Sequence, residues 1–211
     1  MTRLGIIVVA IAALGACGKK DDGGGKGGDK AADKSGGGAS IGTIDVAACN
    51  AAVPAALKDK IVFEKRDFKI EQGRHGTTYT LAAPKGWAQE SKMFAHIKGD
   101  DKAGFFTTLQ IGADCDGECK PKAWEQIADK NFFKPRADGG KVAKDEKSAG
   151  KRVMIVDVDK SGVKSTDVVV AWWTDGAKSY HTCVASLDES IKDAAPAFEK
   201  ACQAVTIDGD D

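Results

Sequence analysis

The chain has 211 residues, with 31 lysines and arginines against 31 aspartates and glutamates, so its formal net charge is zero. Basic residues form no cluster interleaved with aromatic ones, and this excludes the strongly basic class of nucleic-acid-binding proteins. We therefore expect no nucleic acid as a partner. The residues from 43 onward are enough for one domain with a hydrophobic core of its own.

The first 17 residues have the three-part pattern of a secretory signal peptide. Residues 1–3 carry one positive charge, residues 4–14 are almost wholly aliphatic, and Gly15 and Ala16 precede Cys17. A transmembrane helix needs about 20 apolar residues, so this run is too short to span a bilayer. An ordinary signal peptide with a chance cysteine is the alternative. The last four residues, LGAC, resemble the lipobox of bacterial lipoproteins.

The lipobox resemblance implies that residues 1–16 are removed and that Cys17 carries diacylglycerol and an acyl chain. Such chains together would hold the protein firmly on a membrane of the cell envelope. In the sorting rule known from enteric bacteria, an aspartate after the lipidated cysteine retains the protein at the inner membrane, and here Gly18 stands instead. We therefore expect the outer membrane, with the protein facing the periplasm or the cell surface.

Residues 17–42 are predicted to be the lipidated cysteine and a disordered tether. Glycine, lysine and aspartate dominate this segment, which cannot bury enough apolar surface to offset the entropy of ordering it. A Gly-rich coil of this length has an r.m.s. span of about 25–30 Å. Residues 43–211 form the single predicted globular domain.

In that domain, Asp45 is a predicted helix N-cap, and apolar residues follow at helical spacing through Leu57. Pro54 should kink this helix or split it. Pro121 is placed in the first turn of a second helix, whose predicted face is Trp124, Ile127, Ala128 and Asn131. Strands are predicted at 61–63, 68–70, 77–83, 93–98, 104–112, 141–146, 152–159, 164–174 and 179–187.

Residues 168–173 are apolar on both faces of their strand, which predicts a central strand covered on both sides. Asp188 or Asp193 is expected to cap a last helix, in which Ile191, Ala195, Phe198, Cys202 and Val205 share a stripe and Pro196 lies in the first turn. Short turns between successive strands predict a mostly antiparallel sheet flanked by helices. The predicted fold class is therefore α+β.

Residues 79–87, YTLAAPKGW, resemble the signature Y-x-hydrophobic-x-x-P-x-G-W of PsbP/Mog1-like domains. The resemblance covers about residues 68–207 and implies a PsbP/Mog1-like α/β/α sandwich. Trp87 would fill the core after a turn made by Pro84 and Gly86. The family includes photosystem accessory subunits, a Ran-binding protein and many envelope lipoproteins, and the resemblance implies no shared catalytic residues.

Five cysteines follow Cys17, in an exported chain where disulfides persist. Strand rise from Cys183 to residue 187 is about 13 Å, and the helical return to Cys202 is about 12 Å, so these two sulfurs are predicted to meet. Cys49 is the competing partner for either one. A local disulfide is predicted to close the loop from Cys115 to Cys119.

The Cys115–Cys119 loop has three other interpretations. A redox-active pair normally has two residues between its cysteines, and this loop has three. A zinc site would need two more ligands. Asp114, Asp116 and Glu118 show only part of a calcium-loop pattern. We therefore predict no metal and no cofactor.

The three histidines, His75, His96 and His181, have no metal-ligand spacing, and no catalytic motif is present. Trp172 and Trp173 are predicted as core residues, with a ligand platform as the alternative for the one that faces outward. The function expected from these observations is a non-catalytic accessory or protein-binding lipoprotein, with an envelope protein as partner. The alternative is an envelope redox protein or enzyme that uses the Cys115–Cys119 loop.

Overall fold

The computed structural model describes residues 39–72, 75–90, 95–98, 107–115 and 117–209. These residues belong to one compact unit with mixed α and β structure. The predicted signal peptide, Cys17 and the predicted tether as far as residue 38 lie outside the described residues.

The helices are short, and several are joined end to end. Two 3₁₀ turns, Ala55–Leu57 and Lys192–Ala194, accompany the first and last helices, and a π-helical segment, Asp129–Phe133, joins the two middle ones. The α-helices are α1 (Val46–Ala52), α2 (Trp124–Ala128), α3 (Lys134–Gly139) and α4 (Ala195–Cys202).

Eleven strands are present within the described ranges. They are β1 (Ala39–Ile41), β2 (Phe63–Gln72), β3 (His75–Pro84), β4 (Ala88–Gln89), β5 (Ala95–Lys98), β6 (Thr108–Asp114), β7 (Gly140–Ser148), β8 (Lys151–Lys160), β9 (Val163–Trp172), β10 (Tyr180–Asp188) and β11 (Val205–Gly209).

All pairings among these strands are antiparallel, so the α+β class with antiparallel pairing is confirmed. The strands form two sheets rather than the single sheet expected. The small sheet has the order β1-β11-β3-β2, and the large sheet has the order β4-β5-β6-β10-β9-β8-β7. The chain changes sheets after β3, where Pro84 ends the strand and the turn to Trp87 redirects it.

The turn after β3 agrees with its predicted role. Gly86 has φ +82°, a left-handed conformation that glycine adopts without steric cost. Trp87 is then buried, and its ring lies 5.5 Å from that of Phe198 on α4. Trp87 therefore fills the core between the small sheet and α4.

Strand β9 is covered on both faces, as predicted. Val168, Val170 and Trp172 lie in the inner core with α1, α4 and the small sheet, whereas Val169 and Ala171 lie in a second core with α2 and the π segment. We call the two faces of the large sheet inner and outer accordingly.

The first helix follows its predicted boundaries. The Asp45 side chain accepts a hydrogen bond of 2.8 Å from the backbone N–H of Ala48, and α1 ends before Pro54, beyond which a 3₁₀ turn continues. Asn50 then fixes α1 to β2 through two hydrogen bonds to the backbone of Phe63.

Three boundary predictions are wrong. Pro121 precedes the second helix, which begins at Trp124 with Ala123 as its N-cap, and residues 121–123 have no regular secondary structure. Neither Asp188 nor Asp193 caps α4, since Asp188 accepts instead from the backbone and hydroxyl of Ser190. Val205 continues the apolar stripe in sequence but belongs to β11.

The predicted tether is also too long by a few residues. Residues 39–41 form β1, which pairs with β11 at the edge of the small sheet. The physical reason is Ile41, whose side chain packs against the inner core.

Candidate functional site

The outer face of the large sheet is only partly covered by the helical segment α2–π–α3. Trp124, Ala128 and Phe133 from that segment pack on residues of β8, β9 and β10 such as Met154 and Val169. The outward residues of β6 lie beyond this cover, and Gln110 is exposed. A groove results where the helical segment stops.

We call this site the outer groove, and its volume is about 520 Å³. Its walls come from β6, from β10 and from the π segment. The lining residues are Gln110, Ile111, Gly112, Ala113, Asp114, Phe132, Thr182 and Val184. An apolar cleft of this size with a few polar groups is the usual form of a binding site.

Gly112 lies opposite Thr182 in the β6–β10 ladder and opens the floor of the groove. A Cβ placed on Gly112 would meet no other atom within 4 Å. Glycine inside a strand weakens it and marks a place where another group approaches the backbone closely. Among the described residues, no side chain fills the space over Gly112.

The π-helical segment makes the wall opposite the sheet. Hydrogen bonds in a π turn join residues five apart rather than four, and this changes which side chains face the sheet. Phe133 is fully buried against the sheet, while Phe132 is half-buried and lines the groove. The guanidinium of Arg136 lies 5.8 Å from the Phe132 ring and donates to the Phe132 carbonyl, which holds this wall in place.

A chain of polar groups runs along one end of the groove. The Tyr180 hydroxyl donates to Asp114 Oδ2 at 3.0 Å, and Asn131 Nδ2 lies 3.4 Å from the same hydroxyl. The buried Tyr180 ring contacts Trp124 at 5.4 Å and Phe132 at 6.1 Å between ring centroids. The Asp114 carboxylate is thereby held at the end of β6.

The Cys115–Cys119 loop begins directly after Asp114, at the same end of the groove. Its two cysteines form a disulfide with Cα atoms 4.4 Å apart, and Cys119 is exposed. Glu118 pairs with Lys122 at 3.5 Å. Asp116 lies outside the described residues.

The second disulfide joins Cys183 on β10 to Cys202 on α4, with Cα atoms 5.4 Å apart, and both side chains are fully buried. It fastens α4 to the inner face of the large sheet, in the connectivity predicted from the sequence. Cys49 is a buried free thiol in the same core and does not replace either partner.

His181 and Trp173 do not line the groove. His181 is buried between the sheets, stacked on Trp172 with ring centroids 5.6 Å apart and with Nδ1 3.4 Å from the Tyr79 hydroxyl. Trp173 is half-buried against the outer core. The side chains of His75 and His96 lie outside the described ones. Among the described residues, no three potential ligands are grouped to hold a metal ion.

Sequence reasoning missed the outer groove, although Gly112 in a predicted strand was a signal for it.

Comparisons with protein-family models, with curated proteins and with solved structures give no significant match to this chain. Within the part of the chain that the structure describes, none of the helices has the length and apolarity of a membrane span.

Proposed function

We propose that the protein is a lipid-anchored, non-catalytic accessory module of the bacterial cell envelope, which binds a protein partner in its outer groove. The observation that carries the binding role is the open, apolar floor at Gly112 beside the fixed carboxylate of Asp114. The anchor is supported by the lipobox-like residues 14–17 and the glycine-rich segment after them.

The proposed class agrees with the resemblance to PsbP/Mog1-like domains. Its signature residues Tyr79 and Trp87 are buried in the core, and Gly86 makes the turn between them. These residues stabilise a scaffold, and the outer groove lies on a different sheet. The fold by itself assigns no activity. The proposed accessory role therefore depends on the surface of the groove and not on the signature residues.

The shape of the groove indicates the chemistry of its occupant. An apolar side chain of a partner would lie over Gly112, between Phe132 and Val184, where burial from water stabilises it. The proposed occupant is therefore a protein segment that presents an apolar side chain to the groove.

Gly112→Leu tests the groove, because the new side chain would fill its floor. Crosslinked envelopes are solubilised and the proteins attached to each variant are identified. A partner recovered with the native chain should be lost with Gly112→Leu and kept with Gly139→Leu, a glycine on α3 whose Cβ position is equally open. Equal recovery with both variants, or no partner above background, would overturn the binding role.

Cys17→Ser tests the anchor separately. The thioether requires the sulfur atom, so labelled palmitate should be lost from this variant and processing at this site should stop. Cys119→Ser makes the same change at an exposed cysteine and should keep the label. Label retained on Cys17→Ser would contradict the lipobox interpretation.

The alternative function, an envelope redox protein, is favoured by the exposure of Cys119 beside the groove. A thiolate of a partner would attack one sulfur, forming a mixed disulfide and releasing the other cysteine as a thiolate. Titration of thiols in the native protein distinguishes the two functions. Rapid exchange of Cys115–Cys119 with a dithiol would favour the redox protein, and resistance to mild reductant would favour the binding module.

A further inference from the structure

Another cavity is lined by residues of both sheets, and we call it the Trp172 cavity. Its volume is about 450 Å³, within the range of small-molecule binding sites. The end of β1, the β7–β8 turn, the end of β9 and the residue after α4 form its walls. Trp172 belongs to the inner core, whereas the outer groove lies on the other face of the large sheet. The two cavities are therefore separate.

Two glycines in left-handed conformations form part of the rim. Gly42 has φ +67°, and a Cβ placed on it would lie 2.7 Å from the Gln203 carbonyl oxygen. Gly150 has φ +70°, and its Cβ would lie 2.7 Å from the Trp173 carbonyl oxygen. The Trp173 N–H also donates to the Gly150 carbonyl at 2.8 Å. Because only glycine fits at both positions, the backbone holds this rim in one shape.

Lys151 is the one charged residue among the described residues that line the Trp172 cavity. Its ammonium donates to the neutral oxygen Oε1 of Gln203 at 3.2 Å, and an ammonium has further N–H donors for a ligand. The nearby Glu199 carboxylate pairs with the Lys144 ammonium at 2.7 Å. The charge at the cavity is therefore positive, and an anion complements it.

Trp172 lies directly opposite Lys151 in the β8–β9 pair, so the two side chains are neighbours on the inner face. The Trp172 side chain is buried and stacks on His181, with ring centroids 5.6 Å apart. Within the part of the chain that the structure describes, the buried indole Nε1–H of Trp172 makes no hydrogen bond. Buried donors are almost always paired in native proteins, so this one calls for an acceptor from outside the chain.

We propose that the Trp172 cavity binds the carboxylate of a ligand. One carboxylate oxygen pairs with the Lys151 ammonium, and the other accepts a hydrogen bond from Trp172 Nε1. Lys151 thereby exchanges the neutral acceptor on Gln203 for a charged one, and charge-assisted hydrogen bonds are the stronger kind. The indole N–H gains a partner, which removes the cost of an unpaired buried donor.

Two kinds of ligand share this chemistry, a small organic acid and the C-terminal carboxylate of a peptide. Ile41, which packs against the inner core, adds an apolar wall to the cavity and favours an apolar body next to the carboxylate. This inference does not depend on the binding role of the outer groove, because the two cavities share no lining residue among those described.

Calorimetric titration of the full chain in detergent solution tests the charge of the ligand. Sodium benzoate should bind at least about tenfold more tightly than benzamide, its neutral analogue of similar shape. Lys151→Met keeps most of the side-chain length, removes the charge and should abolish this preference, while Lys151→Arg should retain it. Lys58→Met, the same change at an exposed lysine outside the cavity, should bind benzoate as the native chain does.

The indole N–H signals in ¹H–¹⁵N NMR spectra test the position of the ligand. Benzoate should shift the Trp172 signal and leave that of Trp124 in place, because Trp124 Nε1 already donates to the Ala177 carbonyl at 2.8 Å. Trp172→Phe keeps an aromatic ring, removes the donor and should weaken benzoate binding severalfold. Since the signals are assigned in the native chain, this test does not require the variant to fold.

N-acetyl-trialanine and its C-terminal amide separate the two sources of the carboxylate. Tighter binding of the free peptide than of benzoate indicates a peptide C-terminus, the reverse indicates a small organic acid, and both results support a carboxylate site. No binding of either carboxylate at millimolar concentration, equal binding of benzoate and benzamide, or an unshifted Trp172 signal would overturn the proposal. Tighter binding of inorganic phosphate than of both carboxylates would overturn it as well.

Discussion

The hydroxyl of Tyr180 donates a hydrogen bond of 3.0 Å to Oδ2 of Asp114, directly across the β10–β6 pair. The Tyr180 ring packs against Trp124 at the start of the helical segment. One side chain therefore connects the end of β6, the start of the Cys115–Cys119 loop and the helices that form the groove wall.

Tyr180→Phe should lower the free energy of unfolding by about 1–2 kcal/mol, because it removes a hydrogen bond to a carboxylate and keeps the ring packing. Urea unfolding measures the change. Asn131→Ala should cost less, since Asn131 is exposed and its contact with the hydroxyl is 3.4 Å long. An unchanged urea midpoint for Tyr180→Phe would show that the hydroxyl does not stabilise the fold.

The buried guanidinium of Arg152 makes stability depend on pH. Nε and Nη2 each donate to the Asp145 carboxylate at 2.9 Å, Nη1 pairs with Asp129, and the group lies 4.4 Å from the centre of the Phe133 ring. The hydrogen bonds from Arg152, with its charge, lower the pKa of Asp145 below its ordinary value of 3.8. A carboxyl with a lowered folded pKa stabilises the fold above its unfolded pKa, and this stability is lost as pH falls through the folded value.

Asp145→Asn should therefore reduce the loss of stability below about pH 4, the ordinary range of an aspartate. Unfolding by urea at a series of pH values from neutral to acid measures the slope. Asp138→Asn is the control, because Asp138 pairs only on the surface with Lys134. A slope for Asp145→Asn equal to that of the native chain would contradict the assignment.

Local sequence signals predicted much of the fold. Asp45 and Pro54 mark the two ends of α1. A helix cap and a missing backbone N–H each act over only a few residues, so both ends could be predicted from the local sequence. The run at 168–173 predicted a central strand because burial on both faces removes the alternation of polar residues. The length of the strand after Cys183 and the length of the helix back to Cys202 were enough to predict the Cys183–Cys202 pair.

Features that depend on distant contacts could not be predicted. In the sequence, Val205 continues the apolar stripe of α4. In the structure it pairs with Leu81 on β3 and therefore belongs to a strand. That pairing places β11 in the small sheet, beside β1 and β3. The groove arises because the helical segment stops before β6. Nothing in the sequence near Phe132 or Thr182 indicates that these two residues line the same groove.

The Cys183–Cys202 disulfide should contribute about 3 kcal/mol to stability, the value of the chain-entropy model for a loop of about 20 residues. Cys183→Ala/Cys202→Ala should lower the melting temperature measurably and still leave a folded domain, because typical domains have about 5–15 kcal/mol of stability. Cys115→Ala/Cys119→Ala should cost less, since it opens a much shorter loop. Calorimetry of the two double variants makes the comparison.

Peptide mapping of the oxidised protein checks the connectivity directly. As the reductant is raised beyond the mild range, Cys115–Cys119 should open before Cys183–Cys202, since Cys119 is exposed while Cys183 and Cys202 are fully buried. A peptide that links Cys49 to Cys183 or Cys202 would contradict the pairing in the structure and would attach α1 to β10 or to α4 instead.

Cys49 should be unreactive in the folded protein. Burial raises the pKa of its thiol to about 11, the Asp45 carboxylate adds to the rise, and the Lys200 ammonium opposes it. At pH 8 only about one thiol in a thousand would be ionised, against a substantial fraction in the unfolded chain, where the pKa is about 8.5. Iodoacetamide labelling located by mass spectrometry should therefore modify Cys49 only after denaturant is added.

The raised pKa also makes stability fall as pH rises from about 8.5 to about 11, since the unfolded thiol ionises first. Cys49→Ala keeps a small apolar side chain at this position and should remove that part of the alkaline loss. Rapid labelling of Cys49 in the native state at pH 8, or an alkaline slope unchanged in Cys49→Ala, would show that the thiol is not buried as the structure places it.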